Sequence, residues 1–192
     1  MPDDDFYRLR RSKPSGPGQL RVPGARRRPC PVFLPAEYQP KYPYPLVLLL
    51  HPHGSDEWET LARVPHLSNR NYIVLCPRGS RPVTPNSYGQ IRWSWTEGQP
   101  ADIGYLQRLL DAACQRWSTP NPRVYVIGVG QAAVLAERLA ASYLGAISGL
   151  ALLHPAAEHI RQGTLGQAIR PGLRLFLGAE VRPPLSRSAI RR

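Results

Sequence analysis

The sequence is short of several features, and each shortage removes a class of protein. Its three cysteines, Cys30, Cys76 and Cys114, are widely spaced and include no Cys-x-x-Cys pair. That pattern supports neither a disulfide framework nor a zinc knuckle. No uninterrupted apolar run exceeds five residues, as in Leu46–Leu50, whereas a helix needs about 20 to cross a bilayer. The opening Met-Pro-Asp-Asp-Asp holds no apolar stretch, so no signal peptide is read and a cytoplasmic location is expected. Lysine is nearly missing: Lys13 and Lys41 are the only two, and the other basic side chains are arginine.

What is present points to one domain. A chain of 192 residues falls in the usual single-domain range and can bury a full core. Its 22 prolines are more than twice the roughly 5% average usage, so extended connections should be frequent. The net charge of +12 is unevenly placed. Residues 1–28 carry a balance of +5 and residues 161–192 one of +6, leaving +1 for residues 29–160. A nucleic-acid surface would spread positive charge over the folded part. Basic ends suggest weak, salt-sensitive attraction to polyanions instead. The expected organisation is a disordered basic arm over 1–28, a folded unit over 29–178 and a basic tail over 179–192.

Along that unit, residues 30–34 form a short apolar stretch between prolines, which predicts an edge strand. Leu46–Leu50, Leu-Val-Leu-Leu-Leu, is a continuous apolar run, the pattern of a strand buried on both faces of a parallel sheet. Residues 57–69 predict a helix interrupted by Pro65, and 72–76 a second buried strand. Residues 78–100 read as a long loop holding Trp93 and Trp95, and loops of that length usually serve a site. The apolar residues Ile103, Leu106, Leu109, Leu110 and Ala113 recur at a helical period. Strands follow at 124–127, Ile147–Leu153 and 173–177, with an alanine-rich helix over 131–144. Alternating strands and helices specify a wound α/β sheet.

The most informative segment runs Val124-Tyr-Val-Ile-Gly128-Val-Gly130-Gln-Ala132 into a helix. A strand, a glycine-rich turn and a helix resemble the nucleophile elbow, Gly-x-Ser-x-Gly, of α/β-hydrolases. Upstream, Tyr44-Pro-Leu-Val-Leu-Leu-Leu-His51-Pro-His53-Gly54 is similar to the third strand and oxyanion loop of that fold. Asn71-Tyr-Ile-Val-Leu-Cys-Pro-Arg-Gly79 and the Trp93–Trp95 segment follow in the order of its carboxylesterase/phospholipase branch, which includes dienelactone-hydrolase-like proteins. The resemblance covers residues 30–178. It implies an α/β fold with a mostly parallel sheet, truncated at its C-terminal side.

The same resemblance implies a catalytic Ser–His–Asp triad, and the positions that should carry it do not. Gly130 stands where the nucleophile would be. An acid is expected after 173–177, where Glu180 is the only one, and no histidine follows His159. A triad needs a nucleophile, a base to take its proton and an acid to orient the base. The expectation is a catalytically inactive relative that keeps a small oxyanion-type pocket made by His53, Gly54, Gln131 and Trp95, open to a small acyl or ester ligand. A glycine at 130 also has physical logic, since it reaches backbone conformations that strain a serine.

Other readings compete. Ser87, Ser94 or Ser142 could act with His53 or His154, or a water could be activated directly, which would keep hydrolysis. The basic ends could make the chain an interaction module for anionic partners. Gly128-Val129-Gly130 could be a plain tight turn. It is not a dinucleotide fingerprint, because the third glycine is Ala133 and no acid stands about 20 residues on. His51 and His53 lack a third ligand nearby, so neither a metal nor a cofactor is expected. His154 and Glu180 remain weak catalytic candidates.

Overall fold

The computed structural model describes residues 18–22, 25, 28–66, 70–83, 85, 89–96, 100–117, 123–143, 146–155 and 172–178. Its frame is a seven-stranded sheet ordered β1-β2-β4-β3-β7-β8-β9. These strands are β1 Gln19–Leu20, β2 Cys30–Phe33, β3 Leu46–Leu50, β4 Ile73–Leu75, β7 Val124–Val129, β8 Ile147–Leu153 and β9 Arg174–Gly178. From β4 through β3, β7 and β8 to β9 every pairing is parallel. The first two strands are antiparallel. A separate two-stranded sheet pairs β5 Arg81–Val83 with β6 Arg92–Ser94.

Burial explains the arrangement. All five side chains of β3 are buried, as its unbroken apolar run requires of a central strand with covered faces. One face carries Leu46, Leu48, Leu50, Val124, Val126, Leu150 and Leu152. It packs against helices α2 Pro100–Arg116 and α3 Ala132–Ser142, which bring Leu106, Leu109, Leu110, Leu135 and Leu139. The other face carries Val47, Leu49, Val74 and Cys76 and meets the short helix α1 Glu57–Arg63. Val64–His66 follows as a single 3₁₀ turn. The α helix stops there because Pro65 lacks a backbone N–H and clashes with the preceding turn.

Several expectations change. Residues 30–34 are not an edge: β1 lies outside β2, with Leu20 and Val22 buried. The expected basic arm therefore includes an ordered stretch near its end. Arg28 is ordered too, its Nη1 2.8 Å from Asp102 Oδ1 and its guanidinium 3.7 Å from the Tyr105 ring centroid. Residues 1–17 and 179–192 lie outside the described residues. The long loop over 78–100 contains β5 and β6, which its Arg- and Pro-containing sequence conceals. At the far edge β9 leaves Leu175, Phe176 and Leu177 exposed at 37%, 61% and 47%. Among the described residues no helix is long and apolar enough to cross a membrane.

Candidate functional site

The turn between β7 and α3 is shaped by two glycines with different duties. A Cβ on Gly128 would lie 2.6 Å from the Ala132 carbonyl oxygen and 2.7 Å from Ala133 Cα. The first turn of α3 therefore sits against the strand only because no side chain intervenes. Gly130 has φ +58°, and a Cβ there would meet only Pro52 Cβ, at an ordinary 3.6 Å. Position 130 thus has room for a side chain, and its left-handed backbone is the constraint, costing an L-residue roughly 1–2 kcal/mol. The Gly130 N–H donates to Leu153 O at 2.8 Å, and the Ala133 N–H returns to Gly130 O at 3.1 Å. The bend is sharp and fixed, and it lies at the C-terminal ends of the parallel strands, where ligands of open α/β sheets bind.

Facing it is the loop after β3. His51 is fully buried. Its Nε2 accepts the Gly79 N–H at 2.9 Å, so its proton sits on Nδ1, 2.8 Å from Pro52 O. Burial pushes its pKa below the ordinary imidazole value, only partly opposed by the bond to Pro52 and by Glu57 and Asp56. His51 is therefore a neutral structural residue. Trp95, 1% exposed, donates its indole N–H to His51 O at 2.9 Å and packs against the His51 ring. It supports the loop after β3 through the His51 backbone and ring. Gly54, with φ +74°, donates its N–H to Trp93 O at 3.0 Å. The expected oxyanion donor at Gly54 is thus already engaged, whereas the His53 N–H makes no hydrogen bond among the described residues.

One grouping unites candidates that are 41 and 37 residues apart. The Ser94 Oγ lies 2.9 Å from His53 Nδ1 and 2.8 Å from Gln131 Oε1. His53 is exposed and Ser94 has no exposed surface. A serine hydroxyl has one proton. Donated to Gln131 Oε1, it leaves Ser94 to accept from His53 Nδ1–H, so the His53 Nε2 carries the lone pair. In that arrangement the imidazole is held by Ser94 and does not deprotonate it.

The loop carrying Ser94 is pinned by buried charges that the sequence does not reveal. Asp56 caps α1 by accepting the Trp58 and Glu59 N–H groups. Arg92 reaches both Asp56 and Glu59 at 2.9 Å. Glu57, fully buried, receives both Nε and Nη2 of Arg78, which also lies over the Trp93 ring. Asp102, nearly fully buried, accepts Ser80 Oγ at 2.8 Å and the Thr96 N–H at 3.0 Å besides pairing with Arg28. Such charge-assisted bonds are among the stronger ones available to a loop.

The other candidates stand apart from this grouping. His154 follows β8, is exposed and has φ +50°. Ser142 ends α3, away from the bend, and donates to Leu139 O at 3.2 Å. Ser87 and Glu180 lie outside the described residues. Cys30 and Cys76 are buried, and burial pushes both thiols up, away from thiolate reactivity. Among the described residues no group of three or more His, Cys, Asp or Glu is placed to hold a metal ion.

No family model matches the chain and no curated protein matches it in sequence. Solved structures do resemble it. The carboxylesterase from Mesorhizobium loti superposes with a TM-score of 0.58 at 16% identity, over 86% of this chain and 90% of its own. The Bacillus cereus carboxylesterase gives 0.53 at 19%, over 82% and 87%. The acetyl xylan esterase from Aspergillus awamori gives 0.51 at 15%, over 67% of this chain but 47% of its own, so the chain spans about half of that enzyme. Identities this low speak to architecture alone. The chain has the α/β-hydrolase fold, with a mostly parallel central sheet and flanking helices, as found in carboxylesterases.

Proposed function

We propose that this protein is an esterase-type α/β-hydrolase that lacks serine esterase chemistry and keeps an oxyanion-type pocket for a small acyl or ester carbonyl. The observation that carries the reading is Gly130: its φ of +58° and the open space at its Cβ position reproduce a nucleophile elbow without a nucleophile. The bend opens the N-terminus of α3, whose dipole favours a carbonyl oxygen, and the His53 N–H lies on the loop after β3. Without nucleophile and base, residual acceleration of about 10³–10⁴-fold over water is the ceiling, short of the roughly 10⁶-fold of typical enzymes. Purified protein should show no saturable turnover of p-nitrophenyl acetate and no labelling by a fluorophosphonate. Butyrate or ethyl butyrate should shift the amide resonances of Gly130 and Gln131. Saturable turnover, whether or not it survives His53→Ala, or no amide shift at millimolar ligand, would sink this reading.

A second reading is favoured by the 2.9 Å contact between Ser94 and His53. If the Gln131 amide is turned to donate to Ser94, the hydroxyl points to His53 Nδ1 and gains a base. Ser94 is fully buried, so a substrate could reach it only after the loop opens. Covalent fluorophosphonate labelling lost in Ser94→Ala would establish it. Polyanion binding through the Arg-rich ends remains a proposal about residues mostly outside those described, tested by vesicle and RNA binding at low and moderate salt before and after removal of residues 1–28. A cytoplasmic location is likewise proposed from the sequence alone.

A further inference from the structure

The β9 edge of the sheet carries unusual features for a solvent-facing strand. As the last strand in the order it pairs, among the described residues, only with β8, so alternate backbone N–H and C=O groups point away from β8. Natural edges are blunted by charged side chains, proline or a bulge, and β9, Arg-Leu-Phe-Leu-Gly, has a single charge at its first residue and no proline. Its register with β8 places Arg174 opposite Gly149 and Phe176 opposite Ala151. Phe176 therefore shares a face with Tyr125, Ile127 and Val47, and together these residues line an open groove of about 380 Å³. Leu175 and Leu177 lie on the opposite face.

We propose that β9 pairs antiparallel with the β9 of a second copy of this chain, on a two-fold axis through Phe176. The strand is symmetric about that residue. An antiparallel pair centred there sets Phe176 against Phe176 of the partner copy on one face, and each Leu175 against Leu177 on the other. The single charge of the strand, Arg174, falls opposite Gly178 at each end. Two copies of a chain of net charge +12 thus meet along a stretch that places no cation against another. Such a contact is isologous and closes at two. Cross-strand aromatic and leucine pairs each add stability to a sheet junction, and the grooves of the two copies become continuous across it. An extended peptide could satisfy the same backbone groups, but would not call for the symmetry of Leu175 and Leu177.

Sedimentation of the full chain over a range of micromolar concentrations tests the pairing. The expected species has twice the chain mass, and Phe176→Arg, which sets two cations on the axis, shifts it to the monomer with an unchanged circular dichroism spectrum. Because Phe176→Arg could also perturb folding, a second test uses oxidation in a Cys114→Ser background. Phe176→Cys should give a covalent dimer, while Arg174→Cys, which faces Gly178 of the other copy, should not. A monomer at every concentration overturns the proposal, including one whose β9 amides are protected from exchange by its own chain. A dimer indifferent to Phe176→Arg, or one cross-linked equally through Arg174→Cys, overturns it as well.

Discussion

The two segments that meet beyond the C-terminal ends of the central strands are held in different ways. Segments 51–59 and 78–96 form one side, fixed by side chains: Glu57 to Arg78, Arg92 to Asp56 and Glu59, His51 to Gly79. The turn over 128–132 forms the other, fixed by backbone shape and by the missing Cβ of Gly128. The first side tolerates a shift of backbone but not the loss of a charge. The second tolerates neutral changes on its outer surface but not one added carbon at its inner contact. The form of the turn at position 130 therefore depends on its backbone and not on a side chain there.

The sharpest way to break this contrast lies on the charged side. Arg78→Ala strands the buried Glu57 carboxylate and should cost about 3–5 kcal/mol, read as a fall in the denaturant midpoint. Adding Glu57→Leu should recover most of that loss, because the buried imbalance then disappears. If the double variant is no more stable than the single one, the ion pair is not what anchors the loop.

On the backbone side, Gly128→Ala should cost about 3 kcal/mol, the upper end for overpacking, since its Cβ meets backbone atoms closer than 3.0 Å. Gly130→Ala should cost only about 1–2 kcal/mol, from the left-handed φ alone. Equal losses at the two glycines, measured by urea unfolding, would erase the distinction drawn between them.

His51 links the sides to pH. Its folded-state pKa lies below the ordinary imidazole value of about 6.5, first because of burial. The unfolded chain then binds the proton more readily, so stability is fully present above about pH 6.5 and declines as pH falls toward the depressed value. Thermal midpoints of His51→Gln should lack that acid-side slope. The smallest effect belongs to the exposed edge: Leu177→Ala should change stability by under about 0.5 kcal/mol at dilute concentration, against about 2–5 kcal/mol for Leu48→Ala in the core.

The fold was legible where burial is continuous. β3, β4, β7 and β8 each leave an apolar run, and α2 leaves its spacing, because two covered faces or one covered stripe must be written in side chains. β1, β5 and β6 left no such trace. They are two or three residues long and built from Gln, Arg, Pro and Ser as readily as from apolar residues, and they exist because a neighbouring strand offers backbone partners. The tight bend after β7 was legible at Gly128 and Gly130 because a tight turn demands glycine. The contact of Ser94 with His53 and Gln131 was not, since β6 and the loop carrying His53 take positions that depend on ion pairs made elsewhere in the chain. Ser94 could be named only as one serine among three, and the sequence left Trp95 open between a loop anchor and a pocket wall.

The amino-acid order alone determined the wound α/β sheet and the absence of a hydroxyl at the bend after β7, since apolar runs and glycines act locally. Only the tertiary structure decided which histidine is neutral and buried, which one faces solvent, and what each holds. Those outcomes depend on burial and on hydrogen-bond partners 28 to 41 residues away, distances over which a chain carries no local signal.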